Sequence, residues 1–452
     1  EIRKKIRKVK KKSKSINIKN QNSIINKLEF TLTKDQNKAL HEINKDLNSA
    51  NKMFRLLQGD VGSGKTIVSL IAALNTINSG FQVAFMAPTE ILARQHYNLA
   101  KKIFSENKKI EIISGKSEYK EKKEILKNLE NNKIDIIFGT HAIFQKKVKF
   151  NKLGLIIIDE QHKFGVNQRK KLSDKGGADC DVLLMTATPI PRTLTMTIYG
   201  DMDISIIREK PKNRKPIKTY SKLESKIDDI LKFISKEINH GNQIFWVCPL
   251  IEDSKKLDHS SAIKKFEFLK KNYPNQVGLL HGKTDIDEKE KILNDFLKNK
   301  FQILVSTTII EVGIDFPNAN VIIIENANKF GLSQLHQLRG RVGRGNKDST
   351  CILMFKNNLS ENAKKRINIL KKTNDGFIIS EEDMKIRGFG DVLGFKQSGI
   401  KNFKLADPIH NADLFLLAEK EMRRIENLNE SIAKFKPLIK LYDRADIIND
   451  IA

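Results

Sequence analysis

From about residue 30 to residue 200, short apolar runs alternate with longer stretches whose apolar residues recur every three or four positions. FRLLQGD, QVAFMAPT, IDIIFGT, LGLIIIDE and DVLLMTAT are too short for helices and predict buried strands of a parallel sheet with helical crossovers. A second set, QIFWVCPL, QVGLLHG, QILVSTT, VIIIENA and CILMFK, follows after residue 220. Between them, REKPKNRKPIKT (208–219) holds two prolines and many charges and predicts a linker. After residue 359 the strand signal disappears and mainly helices are expected. The predicted fold class is α/β: two parallel-sheet lobes, 28–207 and 220–358, ahead of a mainly helical region at 359–452.

Residues 1–20, EIRKKIRKVKKKSKSINIKN, put Ile2, Ile6 and Val9 on one helical face among Lys and Arg. Such a helix is marginal alone. Residues 1–27 are therefore expected to form a basic connecting helix, packed against something outside this chain or ending in a solvated tail. The start at Glu1, with no methionine, reads as the inside of a longer protein.

Charge narrows the classes of partner. Against 54 Asp and Glu stand 82 Lys and Arg, a formal net charge of +28. That predicts a polyanion, nucleic acid above all, although the abundance of Lys, Asn and Ile also has the look of a compositional habit. No strongly apolar amphipathic face favours a membrane surface, and no apolar run reaches the roughly 18 residues of a span. Cys180, Cys248 and Cys351 are solitary, so neither structural zinc nor a disulfide framework is expected, which fits a reducing cytoplasm.

GDVGSGKT (Gly59–Thr66) follows the apolar FRLL and precedes the helical pattern IVSLIAALNTI. A G-x-x-x-x-G-K-T loop needs that strand–loop–helix setting to bind ATP. Backbone N–H groups around Gly59, Gly62, Ser63 and Gly64 face the phosphates, Lys65 reaches the β and γ oxygens, and Thr66 offers a hydroxyl to Mg²⁺. LIIIDEQH (Leu155–His162) brings Asp159 to a strand's carboxyl end, where it can hold Mg²⁺, with Glu160 beside it to polarise water. HQLRGRVGRG (His336–Gly345), read as a glycine-punctuated helix start, offers Arg339, Arg341 and Arg344. Their spacing prevents all three from facing one way, and Arg341 and Arg344 are expected to reach the γ-phosphate across a cleft between lobes. MKIRGFGDVLGFKQSG (384–399) is a second glycine-rich basic loop. Gly388, Gly390 and Gly394 are spaced one residue too wide for a dinucleotide fingerprint, and an ordinary surface turn stays open as an alternative.

In this order the motifs resemble those of superfamily 2 helicases, and the resemblance implies two RecA-like lobes sandwiching ATP. LTKDQ (Leu32–Gln36) sits where that family's adenine-reading glutamine lies, which implicates Gln36 and nearby Phe30. APTEILARQH, with Thr89 and Arg94, and FGTHAIF, with Thr140, are similar to strand-gripping motifs of the first lobe. HGK, with His281, and STTIIEVGID, with Thr307, are similar to their second-lobe counterparts. By the same likeness Gly313, Asp315 and Gln337 complete the nucleotide site, while His162 and Thr188 link the γ-phosphate state to the grip on DNA.

IIDEQHKFGVNQR, TATPIPRTLTMTIYGDMD and ENANKFGLSQLHQLRGRVGRG more narrowly resemble the RecG family of bacterial DNA translocases. The transcription-repair coupling factor Mfd shares the lobes and is the runner-up. GSGKT rather than GFGKT, DEQH rather than DEEQ and EVGID rather than ETGID favour RecG. On this likeness the 384–399 loop is the translocation motif, with Arg387 and Gln397 passing lobe movement to DNA. Phe389 stands where the family usually has proline, and the family's N-terminal wedge domain is not in this sequence. The resemblance implies an ATP-dependent enzyme that remodels branched and double-stranded DNA in the bacterial cytoplasm, associated with the nucleoid, with a single-stranded DNA-binding protein as a further partner by analogy. An RNA helicase and a non-hydrolysing nucleic-acid binder are the other readings.

Overall fold

The computed structural model describes residues 10–16, 18–28, 30–104, 106–114, 119–145, 147–160, 177–189, 202–211, 214–249, 255–282, 284–307, 316–343, 347–387 and 411–427. Every expected strand forms. The first sheet has seven parallel strands in the order β3 (Ile110–Ile113), β4 (Ile136–Gly139), β2 (Gln82–Met86), β5 (Leu153–Ile158), β6 (Asp181–Thr186), β1 (Phe54–Gly59) and β7 (Asp203–Ile207). The second has six parallel strands, in the order β10 (Val277–Leu280), β11 (Ile303–Ser306), β9 (Gln243–Val247), β12 (Ala319–Ile324), β13 (Thr350–Phe355) and β8 (Lys218–Leu223). These are two RecA-like lobes.

Helices covering both faces explain the apolar strand runs. β2, β5 and β6 are buried along their whole length. The helix Lys65–Asn78 is buried nearly all round because it lies against the sheet and the helix Lys34–Asn48. Leu70 and Ile71 are fully buried, each contributing roughly 2 kcal/mol. Thr33 and Gln36 form a capping box that starts the helix Lys34–Asn48.

β5, β6 and β1 are adjacent and parallel. Their carboxyl ends therefore emerge side by side, and those ends carry Asp159, Thr186 and the Gly59–Thr66 loop. That topology, more than any single contact, builds the site.

Four expectations change. Residues 10–16 are not helical and not a free tail: Lys10, Lys12, Ser13 and Ser15 are exposed, but Lys11 and Lys14 are buried on lobe one, each with Nζ 2.6 Å from Asp181 Oδ2. Asp181 gives a short basic segment a reason to pack. β8 begins at Lys218, so the connecting segment is 208–217, not 208–219. β3, β7 and β8 form in addition to the expected strands. HQLRG is a helix end rather than a helix start, because the helix Leu332–Arg339 stops with Gly340 as its C-cap.

The chain divides into two compact units, residues 1–191 with 200–386, and 192–199 with 387–452. The first holds both sheets and the helices Glu361–Lys372 and Gly376–Arg387 up to Ile386; Ile367, Leu370 and Ile379 belong to the lobe-two core. In the second, the helix Ala412–Asn427 is described, with Leu414 and Leu417 exposed. Among the described residues no helix is long and apolar enough to cross a membrane.

Candidate nucleotide site

Gly62 (φ +73°) and Gly64 (φ +83°) turn the loop after β1, a left-handed backbone that L side chains rarely adopt. Behind it, Gln36 Nε2 donates to the Ser63 carbonyl at 2.8 Å, and a Cβ on Gly64 would collide with that amide. Gln36 Oε1 accepts from Thr33 N–H, so its amide is engaged at both ends, while Phe30 is exposed. Lys65 is buried, and its Nζ donates to the Gly59 and Asp60 carbonyls, both at 2.9 Å. Burial pushes its amine below the usual lysine range, against the pull of the Glu160, Asp159 and Asp60 carboxylates.

Asp159 follows β5 directly, and Oδ2 lies 2.9 Å from His96 Nε2. Burial alone would raise its carboxyl, but the His96 hydrogen bond, the Lys65 charge and the Glu160 N–H hold it below the usual range. Glu160 has φ +51°, a left-handed conformation uncommon outside glycine. That turn brings its Oε2 to the Ala187 N–H at 3.3 Å. Next to Ala187, the Thr186 and Thr188 hydroxyls are 2.9 Å apart. The ends of β5 and β6 are thus bonded through the candidate water-activating residue.

Lobe two meets the loop at Asp60 and Val61. His336 Nε2 is 2.6 Å from Asp60 Oδ1, and Lys210 Nζ is 2.8 Å from Asp60 Oδ2. Burial would raise the Asp60 carboxyl, yet these two partners hold it well below the carboxylate range. A Cβ on Gly340 would touch Val61 at 3.0 Å. Arg214, from the connecting segment, donates to the Val61 carbonyl, and at 3.4 Å to the Gly340 carbonyl. Arg341 is buried just beyond, and Gln337 is half-buried. Arg339 turns inward, donating to the Leu370 carbonyl at 2.6 Å and the Thr373 carbonyl at 2.9 Å.

The other expected residues are dispersed. Thr89 caps the helix Glu90–Ile103 through Leu92 N–H, and Arg94 is exposed on that helix. Thr140 precedes the short turn His141–Phe144. His281 Nδ1 is 3.2 Å from Thr284 Oγ1, Thr307 is buried after β11, and Arg387 is exposed at a helix end. His162, Gly313, Asp315, Arg344, Phe389 and Gln397 lie outside the described residues. Sequence reasoning missed His96, Asp60, His336 and Lys210. All four lie in quoted segments, Asp60 in GDVGSGKT, His96 at the end of APTEILARQH, Lys210 in REKPKNRKPIKT and His336 at the start of HQLRGRVGRG, but their pairings cross the chain and no local spacing shows them.

The donor set fits a nucleotide with Mg²⁺. Thr66 offers a hydroxyl and Asp159 a carboxylate, the hard oxygens the ion prefers, and Mg²⁺ typically takes only one or two protein ligands beside phosphate and water. Among the described residues no cluster of three or more His, Cys, Asp or Glu could hold a metal without them.

Residues 33–197 match the DEAD/DEAH box helicase family, 225–346 the helicase conserved C-terminal domain, and 373–440 the family described as ATP-dependent DNA helicase RecG, domain 3, C-terminal. The fold and the two helicase-domain matches place the chain in the helicase class, with two RecA-like lobes. The chain is 50% identical over 390 residues to the ATP-dependent DNA helicase RecG of Bacillus subtilis, covering 86% of this chain and 57% of that protein. It is 46% identical over 407 residues to the RecG of Streptococcus pneumoniae, covering 90% and 60%. A solved structure of RecG bound to a three-way DNA junction superposes with a TM-score of 0.77 and 42% identity, over 92% of this chain and 54% of that one. The helicase MrfA bound to DNA and AMPPNP shares the fold alone, with a TM-score of 0.61 at 15% identity over 89% of this chain and 63% of that one. The chain belongs to the RecG family, and the match at 373–440 favours RecG over Mfd. It spans 57% and 60% of the length of the two RecG relatives.

Proposed function

We propose that the chain is an ATP-driven DNA translocase that remodels branched DNA, using the lobe at 28–207, the second lobe that begins at β8 and takes in the helices up to Ile386, and the region from 387 onward. The observation that best supports this is the contact of His336 and Gly340 with Asp60 and Val61, which sets the Gln337–Arg341 segment against the phosphate-binding loop. In this reading Lys65 and the loop N–H groups bind the phosphates, with Gln36 and Phe30 near the base. Glu160 orients and deprotonates the attacking water. Arg341, with Arg344, stabilises charge on the departing γ-phosphoryl group. Thr66 and Asp159 would hold Mg²⁺, which supplies charge neutralisation on the phosphate oxygens.

The Glu160–Ala187 bond supports a route by which the water-activating carboxylate and the Thr186–Thr188 segment move together. Thr89, Arg94, Thr140, His162, Thr188, His281 and Thr307 would grip DNA or relay that movement, and Arg387 and Gln397 would pass it to the duplex. The net charge of +28 supports contacts mainly to phosphates, salt-dependent and indifferent to sequence. The place of action would be the bacterial nucleoid, with a single-stranded DNA-binding protein as a further partner.

The test is ATP turnover with forked DNA, linear duplex, single-stranded DNA and RNA offered separately. Strong stimulation by forked or duplex DNA is expected. Stimulation by RNA alone would move the protein to the RNA helicases, and no turnover with any of the four would overturn the reading.

A further inference from the structure

Three segments far apart in the chain meet at one hydrogen bond. Asp60 lies in the phosphate-binding loop, His336 on the helix Leu332–Arg339, and Gly376 opens the helix Gly376–Arg387. His336 Nε2 and Asp60 Oδ1 are 2.6 Å apart. A Cβ on Gly376 would stand 2.7 Å from His336 Nε2 and 2.8 Å from Asp60 Oδ1. The Gly376 backbone therefore closes over the bond, and any side chain there would force the partners to shift. Lys210, paired to Asp60, also donates to the Asn374 carbonyl at 2.8 Å, two residues before Gly376.

Neighbouring donors fix the direction of the bond. Arg339 Nη2 is 2.9 Å from His336 Nδ1, and a guanidinium can only donate. Nδ1 therefore accepts, the ring proton sits on Nε2, and it is donated to Asp60. Arg339 is itself held by the Leu370 and Thr373 carbonyls. Burial lowers the basicity of His336, which suits a neutral ring.

Asp60 is joined just as tightly to Lys65. Its carbonyl is one of the two that hold Lys65 Nζ, and its Oδ1 accepts from the Val61 N–H at 2.7 Å. A shift of either helix thus moves Asp60, and with it an acceptor that positions the lysine.

We propose that Asp60, His336 and Gly376 form a joint through which lobe two and the helix Gly376–Arg387 set the position of Lys65. This rests on the reading of Lys65 as a phosphate-binding residue. His336 and Gly376 are positioning residues that act through Asp60 and need not touch the nucleotide. One residue comes from each of the three matched regions, so the joint ties the phosphate-binding loop to the helix that leads into 388–399.

The experiment measures DNA-stimulated ATP turnover and thermal unfolding for the wild type, Lys65→Ala, Asp60→Ala, His336→Phe, His336→Gln, Gly376→Ala and the Asp60→Ala/His336→Phe double variant. His336→Phe keeps a ring and removes the donor. Gly376→Ala alters no polar group and favours a helix, so a loss there comes from the inserted methyl. Asp60→Ala, His336→Phe and Gly376→Ala are expected to lower kcat about 5- to 50-fold. KM for ATP should change little, because the loop N–H groups still bind phosphate. The double variant should be no slower than its slower single, and His336→Gln should recover most of the rate.

Losses that multiply in the double variant, or wild-type kcat in Gly376→Ala, would overturn the joint. So would coupled losses of stability without coupled losses of kcat, which mark a merely structural contact. Failure of the nucleotide reading looks different: Lys65→Ala then turns over as fast as the wild type, and the joint falls with it.

Discussion

His96 Nε2 and Asp159 Oδ2 lie 2.9 Å apart in the interior of lobe one, although 63 residues separate them in the chain. His96 is buried on the helix Glu90–Ile103 with its ring against Phe85. It fixes one carboxylate oxygen and leaves the other to accept from the Glu160 N–H. A carboxylate that is to hold Mg²⁺ commonly needs such a partner, whose loss typically costs about 10- to 100-fold in metal affinity or activity. His96→Phe is expected to raise the Mg²⁺ concentration needed for half-maximal ATP turnover by about that factor, with partial recovery at high Mg²⁺. An unchanged Mg²⁺ titration would refute the role.

Glu160 carries a second prediction. Its left-handed backbone and its bond to Ala187 aim the carboxylate between the ends of β5 and β6. Glu160→Gln preserves shape and removes the carboxylate proposed to act as base. Turnover should fall by about 100-fold or more, while a fluorescent ATP analogue binds within a few-fold of wild type. Appreciable turnover in that variant would assign water activation elsewhere.

The N-terminal segment should matter for stability. Asp181 is fully buried, accepts from both Lys11 and Lys14, and also accepts the Met53 N–H at 2.7 Å. Asp181→Ala leaves two buried ammonium groups without their carboxylate, at a cost of about 3 to 5 kcal/mol. Urea unfolding should show a loss of that order, and a loss below about 1 kcal/mol, as for an exposed pair, would place these lysines in solvent.

Much of this was legible in the chain, and the gaps share a cause. The expected strands that formed are mostly interior ones with unbroken apolar runs. β3, β7 and β8, the three missed, are all edge strands. β8 alternates exposed and half-buried residues and so reads as charged linker. The positions of the Gly59–Thr66 loop after β1 and of Asp159–Glu160 after β5 were visible because local spacing fixes both to the ends of apolar strands. The Asp60–His336 bond was not, since 276 residues separate its partners and neither motif that contains them, GDVGSGKT or HQLRGRVGRG, says that its Asp or His will meet the other. The N-terminal lysines misled because a basic run reads as solvated until Asp181 is found beneath it.

Acid should destabilise the fold in two stages. Burial holds His336 below its ordinary 6.5, so as pH falls through that value the unfolded chain takes up the proton first and stability declines. Asp60, held below its ordinary 3.8, contributes stability that is complete above that value and is lost further into acid. The urea midpoint should fall as pH drops below about 6.5, and His336→Phe should remove its share of that first decline. An identical pH profile in the variant would contradict a buried neutral His336.

The most direct measurement is steady-state ATP turnover with forked DNA, wild type beside Lys65→Ala. Lys65 is the one cation buried inside the phosphate-binding loop among its described residues, so removing it should lower turnover to background while DNA binding persists. Equal turnover in the two proteins would contradict the nucleotide site, and with it the account of a motor driven from that loop.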